Sequence, residues 1–369
     1  MDVVELTKKL VEIQSVTGNE TEIGEFITSE LDDPNVEMQK VAGFGPNVIA
    51  KHITKPEDPI IILNCHMDTV EVMQGWESDP FTPKIEGNKL YGLGACDMKA
   101  GVAIAIDVFK KAQEMDKNIV FTAVSDEEGN SKGSYVLLQK MKQEELKGDN
   151  SNLLCLIPED TEEHVKLGAR GRYVIDIDVF GCSAHGATPE CGTNAIVKST
   201  KIVDGLNDLP LAEHPIMGKG SFCILKIEGG GDSLSVPDRC TIRVDRHTVP
   251  GEDKSKIIED FDNLLKKLNL NCEYKLSFIK RETPFLEPYI LDKENPWAVK
   301  FLSAYREYCE KEAPIAYGRS VGDFNAFGCL MPTIVFGPMG ENVHGSNECV
   351  FIDSIKRCRD LYLKFLEGL

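Results

Sequence analysis

Strand-length runs of branched aliphatic residues alternate with amphipathic helical segments from the N-terminus to Asp160, and this alternation limits the fold more than any other feature. The apolar runs are "PIIILNCH", "NIVFTAVSDEE" and "NLLCLIPED". Between them, "GVAIAIDVFKKAQEM" and "GSYVLLQKMKQ" have apolar residues at helical spacing. Continuous aliphatic strands separated by helices are typical of α/β proteins, so we predict a mostly parallel sheet covered by helices.

The middle of the chain has a different strand pattern. The segments "RYVIDIDVFG", "SFCILKIEG" and "RCTIRVDRHTV" alternate apolar and polar residues, as half-exposed antiparallel strands do. Two helical stretches, 193–207 and 253–268, lie among them. With 369 residues the chain is too long for one ordinary core. We therefore predict an α+β domain, an antiparallel sheet plus two helices, inserted in the α/β domain, with boundaries 1–168, 169–282 and 283–369.

Composition and charge exclude several classes of partner. A formal net charge of −19 argues against nucleic acid. No apolar stretch approaches the roughly 20 residues of a membrane helix. The N-terminal "MDVVELTKKLVEIQ" has no signal-peptide pattern, so we expect a cytoplasmic protein. The twelve cysteines include no C-x-x-C pair, and reduced thiols are the expectation.

A histidine and an aspartate follow the first aliphatic run. Side chains at positions i and i+2 of a strand share a face, so His66 and Asp68 are expected to point the same way. Open α/β sheets place their sites beyond the carboxyl ends of the strands. A carboxylate beside a metal-binding imidazole holds it in one tautomer. The pair also fits a simple hydrogen bond at a strand end, and both interpretations stay open at this stage.

Four further segments bring acids or a histidine to a similar position. They are Asp97 in a glycine-flanked turn, the run Asp126, Glu127 and Glu128, the pair Glu159 and Asp160, and His344. Each has a structural interpretation of its own, such as a helix N-cap for Asp97 or a solvated acidic turn. Together they indicate a metal site, because two histidines with carboxylates suit zinc and a shared carboxylate suits two ions.

Five motifs, in order, resemble one known family. The segments "HMDTV…GWESDPFTPKIEGNKLYGLGACDMKAG", "SDEEG", "GCSAHGATPECGTNAI" and "GENVHGSNE" are similar to those of the zinc aminoacylase and carboxypeptidase family of metallopeptidases. That family includes acetylornithine deacetylase, succinyl-diaminopimelate desuccinylase, aminoacylase and glutamate carboxypeptidase. The resemblance runs from the first helix to the last. It implies a dinuclear zinc hydrolase domain, with residues 169–282 as a dimerisation or lid domain that forms a homodimer.

The resemblance also implies the metal ligands. It implies two Zn²⁺ per chain, for which Co²⁺ or Mn²⁺ can substitute, bound by His66 and Glu159, by Glu128 and His344, and by Asp97 as the bridge. Asp160 is the alternative to Glu159, which is favoured because "PEDT" aligns best with the family's Glu-Pro-Thr. In the family, the residue at Asp97 usually has a cis peptide bond to the next residue, here Met98. Asp68 is expected to contact His66 without binding metal.

The same resemblance implies the catalytic roles. Glu127 is expected to be the general base that takes a proton from the metal-bridging water, so that the hydroxide attacks an amide carbonyl. Glu127 then passes the proton to the departing amine. His185, in "SAHGATPE", matches a histidine that reaches the partner subunit's active site and stabilises the oxyanion.

Substrate contacts follow less directly from the motifs. Arg319 is a candidate for binding a substrate carboxylate, with a structural ion pair as the alternative. Ser235 stands where many family members have an asparagine that crosses the dimer, and His247 stands where a second arginine is frequent. These two departures put the corresponding family contacts in doubt.

The leading hypothesis is a dinuclear zinc amidohydrolase of the deacetylase or desuccinylase type, which cleaves the amide bond of an N-acyl amino acid. The alternative within the same chemistry is a dipeptidase or carboxypeptidase acting on short peptides. A non-catalytic relative is disfavoured because every ligand and the catalytic acid are present. A thiol hydrolase using Cys65 or Cys96 is also disfavoured, because strand alternation directs Cys65 away from His66.

Overall fold

The computed structural model describes residues 2–144, 146 and 150–369. The strands are β1 (Glu37–Gln39), β2 (Asn47–His52), β3 (Ile60–His66), β4 (Lys84–Glu86), β5 (Lys89–Tyr91), β6 (Ile119–Val124), β7 (Leu153–Ile157), β8 (Val165–Ala169), β9 (Gly171–Phe180), β10 (Glu213–His214), β11 (Gly218–Lys219), β12 (Ser221–Gly229), β13 (Arg239–Thr248), β14 (Glu273–Phe278), β15 (Tyr289–Ile290), β16 (Ile315–Gly318), β17 (Thr333–Val335), β18 (Gly340–Glu341) and β19 (Cys349–Phe351). The α-helices are α1 (Val3–Glu12), α2 (Thr21–Leu31), α3 (Ala100–Glu114), α4 (Lys132–Glu144), α5 (Ala195–Gly205), α6 (Lys254–Leu268), α7 (Pro296–Cys309), α8 (Asp323–Gly328) and α9 (Ile352–Glu367).

The chain forms two compact units. Unit 1 consists of Met1–Ala169, Tyr289–Gly318 and Gly322–Leu369, and unit 2 consists of Arg170–Pro288 with Arg319–Val321. Unit 2 thus continues past residue 282, where the sequence pattern placed the boundary. The reason is that Leu286 pairs with Arg172 beside the start of β9. Arg319 belongs to unit 2, although the sequence pattern placed it in the α/β domain.

Unit 1 is built on one mixed sheet with strand order β1-β2-β6-β3-β7-β17-β8-β15, and β16 pairs with β8. The four neighbouring strands β6, β3, β7 and β17 run parallel, whereas β1, β2 and β15 pair antiparallel with their neighbours. All six residues of β6 and all five of β7 are buried. The predicted α/β class with a mostly parallel central sheet is confirmed.

The helices of unit 1 pack their apolar faces on this sheet and on one another. The carboxylate of Asp2 caps α1 by accepting from the Val4 amide at 2.8 Å, as its position before the first apolar residue predicts. Helix α3 packs against α1 and α9. Its first seven residues, Ala100–Ile106, are all buried, whereas Asp107, Lys110 and Glu114 form a polar stripe on its second half that is partly exposed.

The parallel strands place their carboxyl ends along one edge of the sheet. β3 ends at His66, β6 at Val124 and β7 at Ile157, and all three run in the same direction. The residues that follow β6 and β7 are the two acidic segments noted in the sequence. Chain segments far apart in sequence therefore deliver acids and a histidine to one edge, as expected for an open α/β sheet.

A small antiparallel sheet, β18-β19-β5-β4, also belongs to unit 1. Cys349 lies opposite Tyr91, and Glu341 lies opposite Cys349. The strands have two or three residues each, too short for hydrophobic periodicity to indicate them. This sheet joins the segment that precedes the Asp97 turn to the segment that follows His344.

Unit 2 has an antiparallel sheet with strand order β12-β13-β9-β14 and the two helices α5 and α6. Alternate residues of β9 and β13, including the opposed pair Ile177 and Ile242, form its core with the helices. The other face has charge pairs such as Arg243 with Asp176, whose Nε and Oδ1 are 2.8 Å apart. The predicted antiparallel sheet with two helices is confirmed. Among the residues described in both units, no helix is long and apolar enough to cross a membrane.

Candidate metal centre

The Asp97 carboxylate lies between two histidines. Its Oδ1 is 3.0 Å from His66 Nε2, and its Oδ2 is 3.0 Å from His344 Nε2. The Asp97 side chain is 12% exposed and the His66 side chain 2% exposed. The two oxygens of one carboxylate therefore face two different imidazoles, one from the end of β3 and one from the loop after β18.

Asp97 is held in a tight turn and does not cap a helix. The turn spans Ala95–Lys99, and the backbone angles of Asp97 and Met98 are not helical. The peptide bond between these two residues is cis. The N-cap of α3 is Lys99, and α3 has no side-chain cap. The interpretation of Asp97 as a helix N-cap is therefore wrong.

One group of three donors contains His66, Asp97 and Glu159, each with one ligand atom within 4.8 Å of the others. Glu159 enters the group from the segment after β7. Asp160 belongs to no such group among the described residues, and its carboxylate accepts a hydrogen bond from the Glu162 amide at 3.2 Å. The geometry thus favours Glu159 over Asp160 as the acid of this group.

A second group contains Asp97, Glu128 and His344, again within 4.8 Å. His344 Nε2 is 3.0 Å from Glu128 Oε1. The His344 backbone has a φ of 60°, a left-handed conformation that is uncommon outside glycine. Its side chain is 50% exposed. The second group is therefore open to solvent on the histidine side.

Asp68 contacts the loop that carries the acids. Its Oδ1 accepts from the Glu127 amide and its Oδ2 from the Glu128 amide, both at 3.1 Å, and the Thr17 hydroxyl donates to Oδ2 at 2.9 Å. His66 Nδ1 lies 3.0 Å from the backbone oxygen of Asp68 and 3.7 Å from its carboxylate. The backbone carbonyl of Asp68, not its carboxylate, therefore holds the His66 ring. Strand β3 ends at His66, so Asp68 lies beyond the strand and its carboxylate turns toward the acidic loop.

Glu127 lies in a third group of donors, with His66 and Glu128, and has the surroundings expected of a general base. Its Oε1 accepts a hydrogen bond from the Asp323 amide, at the start of α8, at 3.2 Å. Part of Glu127 remains accessible, but its carboxylate is enclosed by protein atoms. This burial raises the pKa of Glu127 well above its ordinary value, although His66 opposes the shift. A carboxylate of raised pKa has the proton affinity that proton transfer near neutral pH requires.

The other pKa values show how strongly the groups of the centre interact. Burial raises the pKa of Asp97, but the hydrogen bonds from His344 and His66 outweigh it and hold that pKa below its usual range. The hydrogen bond to Asp97, with a second one to Glu128, raises the pKa of His344 to about 10. Burial and the nearby Asp97 raise the pKa of Glu159 to about 8.

The donor set fits a pair of zinc ions. Imidazole nitrogens and carboxylate oxygens are ordinary zinc ligands, and separations of 3.0 Å suit two donors that share one ion. Four carboxylates and two imidazoles lie close together, so the centre has an excess of negative charge that favours bound cations. The residues present are therefore consistent with metal at this position.

His185 and Ser235 lie beside each other in unit 2, where they form an isolated antiparallel bridge. The Ala187 amide donates to His185 Nδ1 at 3.0 Å, so the neutral ring has its proton on Nε2. His185 is exposed, and its Nε2–H is a donor available to a ligand. The Ser235 hydroxyl is 2.7 Å from that of Ser233.

The remaining candidates are resolved by their contacts. Arg319 is exposed and has no salt bridge within the described ranges, so the structural ion pair is not found. His247 Nε2 is 3.4 Å from Asp245 Oδ2, so the His247 side chain contacts a neighbouring residue of its own strand, β13. Burial raises the pKa of both the Cys65 and the Cys96 thiols, which opposes a reactive thiolate at either position.

Sequence reasoning missed three residues that contact the centre, namely Thr17, Asp323 and Glu348. Glu348 is buried and accepts from the Asp97 amide at 3.0 Å. Asp323 follows a glycine in "VGDF", and Glu348 ends the "GENVHGSNE" motif. The partners of both acids are remote in the chain, so the sequence does not indicate these contacts. The only signal for either acid was its place beside a quoted motif.

A profile of the family described as peptidase family M20/M25/M40 matches residues 62–368, most of the chain. The chain belongs to this family. The predicted resemblance is thereby confirmed, and so is the expectation that the chain is a hydrolase of the metallopeptidase class. Family M20/M25/M40 is metal-dependent, which agrees with the donor set described above.

Known proteins similar to this M20/M25/M40 member cover nearly its whole length. A succinyl-diaminopimelate desuccinylase of Sulfurovum sp. is 26% identical over 376 residues, which are 98% of this chain and 97% of the relative. One of Wolbachia pipientis subsp. Culex pipiens is 27% identical over 394 residues, covering 100% and 93%.

Solved structures of peptidases have the same fold. Aminopeptidase PepT from Bacillus cereus has a TM-score of 0.78 at 19% identity, with 99% of this chain and 97% of that chain covered. A dinuclear metal-binding M20 peptidase from Bacillus subtilis has a TM-score of 0.74 at 14% identity, covering 99% and 96%. At these identities the likeness concerns the fold alone.

Proposed function

We propose that the chain is a dinuclear zinc-dependent hydrolase that removes the acyl group from an N-acyl amino acid, with desuccinylation or deacetylation as its reaction. The named activity of the desuccinylase relatives, at 26% and 27% identity over nearly full length, supports this substrate class. Peptidase activity on short peptides is the weaker candidate, because the peptidases among the solved structures share the fold at 19% identity or less.

The observation that carries the proposal is the position of Asp97. Each of its oxygens lies 3.0 Å from a different histidine nitrogen, and Asp97 belongs both to the group with His66 and Glu159 and to the group with Glu128 and His344. A carboxylate so placed serves as a bridge between two ions. His66 and Glu159 would hold one zinc ion, and Glu128 and His344 the other. When bound, such a pair acidifies water and polarises the amide carbonyl.

Glu127 would move the proton in this reaction. Its carboxylate takes a proton from the attacking water and gives it to the amine nitrogen as the amide C–N bond breaks, so it returns to its starting state. The Asp323 amide holds Oε1, and Asp68 holds the Glu127 main chain, so two contacts orient the base. Glu128 is directed to His344, which separates the roles of the two adjacent acids.

Unit 2 would supply the dimer contact and the remaining substrate contacts. Exposed apolar side chains lie on its edge strand β12 and on α5, including Leu225, Ile227 and Val197, and they support a homodimer through this unit. His185 would donate its Nε2–H to the developing oxyanion in the partner's site. Arg319, exposed and in no salt bridge with any residue that the structure describes, would bind the substrate carboxylate, with Ser235 beside His185 as a further contact.

The substrate class is tested by a metal-restoration assay. The protein is treated with chelator, restored with Zn²⁺, and assayed on N-succinyl-diaminopimelate, N-acetylornithine, other N-acyl amino acids and dipeptides. We expect activity to disappear with the metal and to return on N-acyl amino acids. Activity that is restored on dipeptides alone would assign the peptidase function instead. Activity that survives complete metal removal would refute the proposal.

The two adjacent acids provide a matched pair of variants. Glu127→Ala should lower kcat by about 10²–10⁴-fold, the usual contribution of a general acid–base group, with both metal ions retained. Glu128→Ala should lower the metal content, because it removes a ligand. The measurement is metal analysis beside steady-state kinetics. Loss of metal from Glu127→Ala, or full metal content in Glu128→Ala, would reverse the assigned roles.

A further inference from the structure

Glu348 is a buried carboxylate outside all three groups of donors, and it accepts hydrogen bonds from three amides of one turn. Its Oε2 accepts from the Gly94 amide at 2.8 Å. Its Oε1 accepts from the amides of Cys96 at 2.9 Å and Asp97 at 3.0 Å. Glu348 thus contacts the main chain of Asp97 while the Asp97 side chain faces the two histidines.

The segment that contains Glu348 also contains His344, four residues earlier. The Gly92 amide donates to the Glu348 carbonyl oxygen at 3.0 Å, and β19 pairs with β5 directly afterwards. One segment therefore provides a histidine of the second group and, through Glu348, holds the turn of the shared carboxylate. A displacement of this segment would move both.

The chemistry of the contact requires a carboxylate. Both oxygens of Glu348 accept from backbone N–H groups, so the contact uses two acceptor atoms of one side chain. A glutamine at this position has one oxygen and an NH₂ group, which cannot accept from an amide. At least one amide of the turn 94–97 would then lose its acceptor.

We propose that Glu348 is a positioning residue of the metal centre, which fixes the turn 94–97 so that both oxygens of Asp97 remain directed at His66 and His344. The inference rests on the proposed dinuclear function. A bridging carboxylate has to meet two ions at once, so a small rotation of its turn affects both sites together.

The chain offers a matched control at Glu20, which is also a buried carboxylate of unit 1. Its Oε1 accepts from the Gly18 amide at 2.7 Å and its Oε2 from the Gly45 amide at 2.8 Å. Neither amide belongs to a residue of the three donor groups. Glu20→Gln therefore removes the same kind of contact without touching the Asp97 turn.

The test is a Co²⁺ titration of the chelator-treated full chain, followed by visible absorption, for wild type, Glu348→Gln and Glu20→Gln. We expect Glu348→Gln to weaken both Co²⁺ binding steps by about 10–100-fold, as loss of an outer-sphere partner does, and to change the Co²⁺ spectrum. Glu20→Gln should stay within about twofold of wild type, because the Glu20 carboxylate accepts from Gly18 and Gly45, which are not among the donor residues. Urea unfolding of the metal-free proteins shows whether both variants are destabilised.

Wild-type Co²⁺ affinity and spectrum in Glu348→Gln, with easier unfolding only, would overturn the inference, because Glu348 would then be purely structural. If Glu348→Gln does not fold, Glu348→Asp is the variant to test, because it keeps a carboxylate on a shorter side chain. We expect its Co²⁺ affinity to lie between those of wild type and a chain without the contact. Wild-type Co²⁺ affinity in Glu348→Asp would overturn the inference. A wild-type chain that binds fewer than two Co²⁺ overturns the proposed function and this inference with it. Two bound ions with an unchanged variant overturn the inference alone.

Discussion

The two groups of donors that contain Asp97 hold their histidines in different ways. His66 is the last residue of β3, a strand in the parallel centre of the sheet, and its side chain is 2% exposed. His344 lies in a loop with a left-handed backbone, and its side chain is 50% exposed. The other donors follow the same division, since Glu159 extends from a strand end whereas Glu128 lies further along an acidic loop.

This difference teaches that a shared ligand does not make the two halves of the centre equivalent. We call His66 with Glu159 the His66 half, and Glu128 with His344 the His344 half. A buried sheet positions the His66 half, so its geometry is set when the fold forms. The His344 half depends on a loop that packing holds less firmly, because half of the histidine surface faces solvent. We therefore expect the His66 half to bind metal more tightly and to contribute more to the stability of the fold.

The largest effect is expected from exchanging each histidine for alanine. His66→Ala should lose both ions and lower the free energy of unfolding of the metal-free protein by about 2–4 kcal/mol, because it leaves a cavity beside buried carboxylates. His344→Ala should keep about one ion per chain and lower the free energy of unfolding by less than His66→Ala does, because the His344 side chain is half exposed. Metal analysis after dialysis and urea unfolding measure both quantities. Equal losses in the two variants would remove the distinction between the halves.

An intermediate effect is expected from pH in the chelator-treated protein. The raised pKa values of His66, of His344 at about 10 and of Glu159 at about 8 mean that the folded state binds more protons than the unfolded state between pH 5 and 8. The stability from each group is complete below its unfolded pKa and is lost as pH rises through the folded pKa. Each such group contributes about 1.4 kcal/mol per pH unit between its unfolded and folded pKa values, so the free energy of unfolding should fall by several kcal/mol over this range.

Two further measurements, on Glu159→Gln and on the Zn²⁺-loaded protein, show which groups cause this pH dependence. In Glu159→Gln, the free energy of unfolding should fall less steeply with pH, because residue 159 no longer titrates. Added Zn²⁺ should reverse the sign, since metal binding favours deprotonated ligands and tightens as pH rises. Urea unfolding at pH 5, 6, 7 and 8 provides the curves. A metal-free stability that increases over this range would contradict the assigned charges.

The smallest effect is expected from Asp160→Asn. The Asp160 carboxylate accepts from the Glu162 amide, and an asparagine oxygen can accept the same bond, so metal affinity should stay within about threefold. Glu159→Gln, beside it, should weaken metal binding by at least about 100-fold, because even an outer-sphere partner is worth about 10–100-fold. Competition with a chromogenic chelator measures both. The opposite ranking would make Asp160 the ligand of the buried half.

The sequence predicted the elements on which this comparison depends, for physical reasons. Aliphatic runs of strand length identify buried parallel strands. A residue that ends such a run, as His66 does, lies at the carboxyl edge of the sheet, and this position does not depend on contacts with residues that are distant in the sequence. Residues beyond the strand end are not constrained in this way. The pleat no longer directs Asp68, and its carboxylate turns to the amides of Glu127 and Glu128.

Local sequence patterns could not predict contacts between residues that are distant in the chain, nor strands of two or three residues. Glu348 and Gly94 are 254 residues apart, so neither segment alone indicates their hydrogen bond. The strands that bring them together have two or three residues, fewer than any periodicity requires. The sequence pattern assigned Arg319 to the α/β domain, whereas it belongs to unit 2. The segment Arg319–Val321 has only three residues, which is too short for a pattern to indicate.

The most direct test of the central claim is anomalous X-ray diffraction from crystals of the zinc-loaded protein, measured on both sides of the zinc absorption edge. The account predicts two anomalous peaks, one at about 2.0–2.2 Å from each oxygen of Asp97. One of them should also contact His66 and the other His344. A single peak, or two peaks of which Asp97 contacts only one, would contradict the account.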